Sequence, residues 1–238
     1  MKQMLNIFAM LLVASLFFNV VMNYMAANIS DFESVALPPK KQPEIISHNP
    51  TLKIDATSRD LWTLVDFTTG KTYQVKSPEE NIKALQNNNW DLGFHRTKII
   101  SNGGVTNPKG RAGIINLGKV EFDQVREAPL TGYLQDSRAW GNLSNRAIAS
   151  WYNYRTRTHN IESNKHVYIV KTSLGGRMKM RILNYYCKRE EVECAQTMCG
   201  RAEAACLTIE YVHAYPESNR FPAPEKPAQP QSTSKIFH

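Results

Sequence analysis

The sequence predicts an all-β domain of mostly antiparallel strands with few short helices. Twelve glycines, twelve prolines and 10% aromatic residues in 238 residues are typical of a turn-rich β chain. Beyond the N-terminus no apolar stripe keeps the 3.6-residue period of a helix. Several segments, each bounded by turn-forming residues, instead alternate between apolar and polar residues. With 42% apolar residues and no G-x-y or heptad repeat, the composition excludes collagen-like, coiled-coil and wholly disordered chains.

The N-terminal residues 1–27 have the order of an export signal. Lys2 precedes an apolar run over 4–27, which ends at the small residues Ala26 and Ala27. The run is also long enough to cross the ~30 Å hydrocarbon core of a membrane. We therefore expect either a cleaved signal peptide or an uncleaved signal anchor. Both place the rest of the chain in the periplasm, in the cell envelope or outside the cell, with membrane contact only through this segment.

Two Pro-rich segments bound the expected domain. Residues 28–50 (with ALPPKKQPEIISHNP) are predicted to form an extended linker, and 216–238, with five prolines among polar residues, a disordered tail. The β domain is therefore predicted to span 51–215.

Within that range, period-2 alternation and turn residues predict the strands in order. Residues 61–67 and 68–75 form a hairpin about Gly70, and WDLGF (90–94) places Trp90, Leu92 and Phe94 on one face. Further along, the predicted elements are a Gly-rich loop over 101–113, two short strands in 112–125 (AGIINLG and KVEFDQV), an ambiguous stretch with a helical turn in 141–155, a hairpin of 166–172 and 177–186 about a Gly-Gly turn, and a strand at 207–215.

The four cysteines lie between 187 and 206 with six, four and six residues between them. Strand-like sequence precedes Cys187 and follows Cys206, so these two are placed at the arms of a hairpin. We expect nested disulfides, Cys187–Cys206 at the base and Cys194–Cys199 at the tip of a stapled loop, in an oxidising compartment. Four cysteines allow three pairings, and a zinc site is the weaker alternative because only the central pair has knuckle-like spacing.

Catalytic and nucleic-acid-binding signatures are missing from the sequence. It contains no G-x-S-x-G, H-E-x-x-H, P-loop or G-x-G-x-x-G signature, so an enzyme is not expected. The net charge of +8 favours anionic partners, but the basic residues fall in short pairs without a helix-turn-helix, zinc-finger or RNP motif. Nucleic acid is therefore not an expected partner.

Six motifs in one order resemble a known family. They are FTTGKTY (67–73), WDLGFHR (90–96), the NGG turn (102–104), WYNY (151–154), VYIVKT…GG (167–176) and MRILNYY (180–186). Together they resemble the HmuY family of bacterial haem-binding envelope proteins over roughly residues 52–215. The resemblance implies an antiparallel β fold that grips haem between loops at one end, two axial ligands that are His or Met, and delivery to an outer-membrane receptor.

Haem iron needs imidazole or thioether ligands, and few side chains qualify. The axial candidates are His159, in a predicted loop before a strand, and His166, which opens the next strand. His95 is the third, and alternation places it opposite the face of Trp90, Leu92 and Phe94. The candidate haem contacts cluster just before His159: Trp151, Tyr152 and Tyr154 for stacking, and Arg155 and Arg157 for the propionates.

Methionines are the second kind of candidate ligand. Met178 and Met180 share a strand face with Ile182 and are expected in the core. Met198, inside the cysteine loop, is a soft ligand only if that loop reaches the site. The alternative to haem binding is an envelope structural or protein-interaction module on the same β scaffold without a haem site.

Overall fold

A computed structural model describes residues 2–32, 47–76, 90–139, 141–195 and 197–224. The chain divides into two compact units, Met1–Gln42 and Pro43–His238. The first contains one helix, α1 (Lys2–Phe32), which continues beyond the 1–27 segment expected from the sequence. In the part of the chain that the structure describes, no helix is both long and apolar enough to cross a membrane.

The second unit consists of antiparallel β-sheets, as the sequence predicts. Thirteen strands are present among the described residues: β1 Thr51–Asp55, β2 Trp62–Asp66, β3 Lys71–Val75, β4 Leu92–His95, β5 Lys98–Ser101, β6 Gly113–Gly118, β7 Ser137–Ala139, β8 Asn142–Ser144, β9 Tyr152–Arg155, β10 Asn160–Ser163, β11 Val167–Lys171, β12 Arg177–Tyr186 and β13 Ala204–His213. They form a five-stranded sheet in the order β1-β13-β12-β11-β6, a four-stranded sheet in the order β3-β2-β4-β5, and the pairs β9-β10 and β7-β8.

The main core lies between the two larger sheets. Leu92 and Phe94 from the four-stranded sheet share one cluster with Tyr168, Met178 and Met180 from the five-stranded sheet. Both methionines are fully buried, which confirms their expected core role. A sheet that packs through one face places alternate residues inward, and the β12 residues with the opposite parity point to the far side of the sheet.

Two predicted hairpins are confirmed by the strand pairing. Trp62 pairs with Val75 in the β2–β3 hairpin, where Gly70 has the positive φ of 70° that the turn requires. Val170 pairs with Met178 in the β11–β12 hairpin, and Gly175 in its turn has φ 91°. Both hairpins are local in sequence, so alternation and turn chemistry sufficed to predict them.

The expected common face of Trp90, Leu92 and Phe94 is wrong for Trp90. That side chain packs in a separate cluster with Trp62 and Leu64, whereas Leu92 and Phe94 face the main core. The alternation is interrupted at Asp91, which precedes β4. Its buried carboxylate accepts backbone N–H bonds from Phe67 (3.0 Å) and Ser173 (2.7 Å), which joins the two sheets at this point.

The second strand predicted within 112–125 is also wrong. The first, AGIINLG, does form β6, but β6 pairs with β11. KVEFDQV instead contains a 3-10 helix, Phe122–Gln124, whose Phe122 is buried. The carbonyls of Phe122 and Val125 accept hydrogen bonds from the buried Lys179 ammonium (2.8 and 3.1 Å), a long-range contact that local alternation cannot reveal.

The folded unit extends beyond both expected boundaries. At the start, Ser47 and Asn49 donate hydrogen bonds to Glu210 of β13. At the end, residues 216–224 lie against the sheet: Phe221 is 4% exposed, and its N–H donates to the carbonyl of Arg126 (2.8 Å). The predicted tail is therefore corrected over 216–224, and the predictions for 33–46 and 225–238 lie outside the described residues.

The ambiguous stretch 141–155 contains two strands joined by turns. β8 precedes a turn in which Ala149 donates its N–H to the carbonyl of Asn145 (3.0 Å), the hydrogen bond of a single helical turn. β9 follows Trp151. The sequence-based interpretation of a helical turn before the aromatic cluster is thus confirmed.

Candidate functional site

Most of the candidate ligand contacts lie on a two-stranded ribbon formed by β9 and β10. Tyr154 pairs with Ile161, and Arg155 with Asn160, so the loop 156–159 forms the tip. His159 occupies that tip with a positive φ of 56°, a left-handed conformation that turns the chain into β10. The sequence places this histidine in a loop before a strand, and the structure confirms that placement.

The His159 imidazole is oriented by a phenol. The Tyr154 hydroxyl lies 2.6 Å from His159 Nδ1, and both side chains are exposed. When Nδ1 carries the proton and donates it to the phenol oxygen, the Nε2 lone pair is available as a ligand. A second hydrogen bond of this kind is what orients a histidine toward a metal in known sites. Among the described residues, Nε2 has no hydrogen-bond partner.

Arg155 and Arg157, which are near His159, differ in their surroundings. Arg155 Nε donates to the carboxylate of Glu162 (2.6 Å) across the ribbon, and its side chain is 59% exposed. Arg157, in the tip loop, is exposed. An exposed guanidinium beside His159 can bind a carboxylate bidentately, as recognition of a propionate requires.

Trp151 is not available for stacking on a ligand, which corrects its assignment as a contact. The side chain is fully buried in the main core, and its indole N–H donates to the carbonyl of Thr97 (2.8 Å). Tyr152 packs edge-on against it with ring centroids 5.0 Å apart. Tyr154, 53% exposed, is the accessible aromatic ring of the ribbon.

His166 and His95 lie elsewhere. His166 precedes β11, and its Nδ1 is buried with no hydrogen-bond partner. His95 ends β4, where its ring stacks on Trp62 at 5.1 Å and its Nε2 lies 2.8 Å from the carbonyl of Arg59. His95 therefore lies away from the face of Leu92 and Phe94, as expected. Its stacking partner Trp62 belongs to the same cluster as Trp90, so the expectation is wrong for Trp90.

The structure does not bring the three histidines together. His159 is at the tip of the ribbon, whereas His166 follows its base. Six residues, 160–165, separate the two along the chain, and four of them form β10. Among the described residues, no contact joins His159 to His166 or His95.

The cysteine loop lies beside the ribbon, and both predicted disulfides are confirmed. Cys187 is bonded to Cys206 at the base of the loop and Cys194 to Cys199 at its tip. The loop packs against the ribbon through Asn160, whose amide N–H groups donate to the carbonyls of Cys194 and Thr197 (2.8 Å for the latter). The side-chain carbonyl of Asn160 accepts a hydrogen bond from the backbone N–H of Cys199 at 3.1 Å. Sequence reasoning missed Asn160, because nothing local marks its partners.

The base of the ribbon is held to the same loop by charge. Lys165 Nζ lies 2.7 Å from Glu191, and the Ser163 N–H donates to the other oxygen of that carboxylate (3.1 Å). Burial raises the pKa of Glu191, and the Lys165 ammonium acts against this rise. The cysteine loop therefore supports the ribbon at both ends of β10.

No group of His, Cys, Asp and Glu side chains among the described residues could hold a metal ion. The donors at the ribbon tip are instead an imidazole and, on the cysteine loop, a thioether. Imidazole and thioether are donors that haem iron accepts. His159 and Met198 are therefore residues that would hold the iron of such a group.

Comparison with known proteins gives one family. The family model described as HmuY protein matches residues 58–198, more than half of the chain. No curated protein matches the sequence significantly.

Solved structures show a similar fold. The apo HmuY analog of Tannerella forsythia is 16% identical, with a TM-score of 0.51 over 71% of this chain and 97% of that one. Apo PinO from Porphyromonas gingivitis is 12% identical, with a TM-score of 0.51 over 71% of this chain and 98% of that one. At these identities the likeness concerns the fold alone.

Proposed function

The chain belongs to the HmuY family, and from this premise we propose that it is an exported, non-catalytic protein that binds haem or a related tetrapyrrole for uptake or storage. Members of the family are binding proteins rather than enzymes. Haem would be bound non-covalently, at the tip of the β9–β10 ribbon.

One observation carries the proposal: the His159–Tyr154 pair. The phenol at 2.6 Å orients the exposed imidazole, and Nε2 has no hydrogen-bond partner among the described residues, so a nitrogen ligand is preorganised on a ribbon. The chain would contribute a donor to the iron and contacts to the edge of the macrocycle. Tyr154 offers a ring face for the macrocycle, and Arg157 a guanidinium for a propionate.

The disulfides support the exported location. Two disulfides in one domain persist only where thiols are not kept reduced, as in the periplasm or outside the cell. An exported tetrapyrrole carrier needs a recipient, and an outer-membrane receptor is the partner that the family resemblance implies.

A hemin titration of the full chain with intact disulfides tests the proposal. We expect a saturable one-to-one change in the Soret band, weakened at least about tenfold in His159→Ala, because an axial ligand is lost. His48→Ala is the matched control, since His48 is exposed outside the ribbon. Saturation that no single histidine variant weakens would remove His159 as a ligand but retain haem binding.

The alternative function is a protein-interaction module without haem. The observation in its favour is that no contact joins His159 to His166 or His95 among the described residues, so no pair of histidines is already assembled. If hemin produces no saturable spectral change with the full chain, the haem proposal is wrong and this alternative remains.

A further inference from the structure

The second axial position can be assigned by asking which donor the fold places beside His159. Three of the eight methionines lie in the β unit, namely Met178, Met180 and Met198. The first two are fully buried in the core, whereas Met198 is 64% exposed. An exposed thioether is therefore offered by one methionine of this unit.

Met198 is held in place by the inner disulfide ring. Cys194 and Cys199 close a ring with a sequence separation of 5, and their side chains are 1% and 8% exposed within the main core. The ring is thus anchored in the core, while Met198, next to Cys199, is exposed. A large apolar side chain fixed in this way does not contribute to the core.

Asn160 connects this ring to the histidine. Its amide contacts Thr197 and Cys199, which are the residues on either side of Met198. Asn160 is 4% exposed, and His159 precedes it in the chain. With one side-chain hydrogen bond and one 3.8 Å residue step on the ribbon, the backbone positions of His159 and Met198 are roughly 10 Å apart. At that separation both side chains can reach one atom between them.

We propose that Met198 Sδ is the second axial ligand, opposite His159 Nε2, so that this chain binds haem with mixed histidine–methionine coordination. The proposal rests on the haem-binding function above. Asn160 and the Cys194–Cys199 ring are then positioning residues that set the separation of the two ligands. A thioether ligand raises the reduction potential of haem iron relative to two imidazoles, so the site favours the ferrous form.

Three variants in the full chain test the assignment. Met198→Leu keeps size and polarity but removes the sulfur, and we expect hemin affinity to fall at least about tenfold. The far-red iron–thioether band of the ferric complex should disappear. Met198→His supplies a different ligand, so it should retain tight hemin binding with a lower reduction potential. Val192→Ala, an exposed apolar residue of the same loop, is the matched control and should leave the affinity and spectrum unchanged.

Metal-free protoporphyrin IX separates ligation from simple contact, because it has the macrocycle without the iron. If Met198 ligates, Met198→Leu leaves protoporphyrin binding unchanged while it weakens hemin binding. Equal losses for both compounds would overturn the assignment in favour of apolar contact.

The failure of this inference is distinguishable from failure of the proposed function. If hemin binds and His159→Ala weakens it, but Met198→Leu changes neither spectrum nor potential, Met198 is not the ligand and haem binding stands. If the wild-type chain binds no hemin saturably, both proposals fall together.

Discussion

Tyr168 and Tyr185 are buried phenols of the main core, 1% and 2% exposed. Burial raises the pKa of each to about 12, because the phenolate would lose its hydration in the interior. The unfolded chain ionises its tyrosines near pH 10, so between about pH 10 and 12 the unfolded state loses protons that the folded state retains. The stability conferred by the neutral phenols is complete below pH 10 and is lost as the pH rises through this window.

The expected result is a free energy of unfolding that falls steeply between about pH 10 and 12, and a shallower fall in Tyr168→Phe, by up to about 3 kcal/mol across the window. Urea unfolding at a series of pH values measures the slope, and ultraviolet difference titration counts the late-ionising phenols. Tyr154→Phe is the control because that phenol is exposed. Equal slopes in wild type and Tyr168→Phe would contradict the prediction.

The two disulfides of the cysteine loop act on different structural elements. The outer one, with a sequence separation of 19, joins the ends of β12 and β13, whereas the inner one, with a separation of 5, fixes the ring that contacts Asn160. Loop-closure entropy gives about 3 kcal/mol for the outer bond and about 2 kcal/mol for the inner bond. Global stability and local ribbon order should therefore respond differently to their removal.

We expect Cys187→Ala/Cys206→Ala to lower the free energy of unfolding more than Cys194→Ala/Cys199→Ala, by about 1 kcal/mol. The inner variant, in contrast, should accelerate hydrogen exchange at the ribbon amides of β10 more strongly, because the carbonyls that accept from Asn160 are no longer held. Chemical denaturation and hydrogen exchange by mass spectrometry measure the two effects. If ribbon exchange is unchanged in the inner variant, the ring does not position the ribbon.

At the scale of the whole molecule, the described C-terminal segment closes the far side of the five-stranded sheet. Phe221 packs with Ala128 and Ile169, and its ring lies 5.4 Å from the Lys179 ammonium. Burial lowers the pKa of Lys179, so this lysine depends on the carbonyls and rings around it for stabilisation. Residues 216–224 are consequently part of the domain, although their composition resembles a tail.

Phe221→Ala should lower the free energy of unfolding by about 3 kcal/mol, because it leaves a cavity beside the buried ammonium. Truncation after Tyr215 should cost at least as much. Truncation after Pro224 removes only residues whose composition predicts a disordered tail, so it should cost almost nothing. Chemical denaturation of the three variants provides the measurement. Equal stability of the two truncated chains would show that the segment contributes nothing to the domain.

The sequence by itself determined the features that depend on neighbours along the chain. The β class, the hairpins about Gly70 and Gly175, the nested disulfides and the loop position of His159 all follow from alternation, turn residues and the strands that flank the cysteines. The family resemblance added the expected ligand. Each of these features is set within about twenty residues, where propensity and short-range geometry dominate.

Only the tertiary structure decided the contacts between distant segments. In the structure, Trp90 lies in a second cluster and Trp151 is buried. The predicted strand around Phe122 is a 3-10 helix whose carbonyl accepts a hydrogen bond from Lys179. The structure also shows that Asn160 contacts the ring that carries Met198. These outcomes depend on packing and on the pairing of buried polar groups between segments that are distant in the chain, for which a period-2 pattern has no signal.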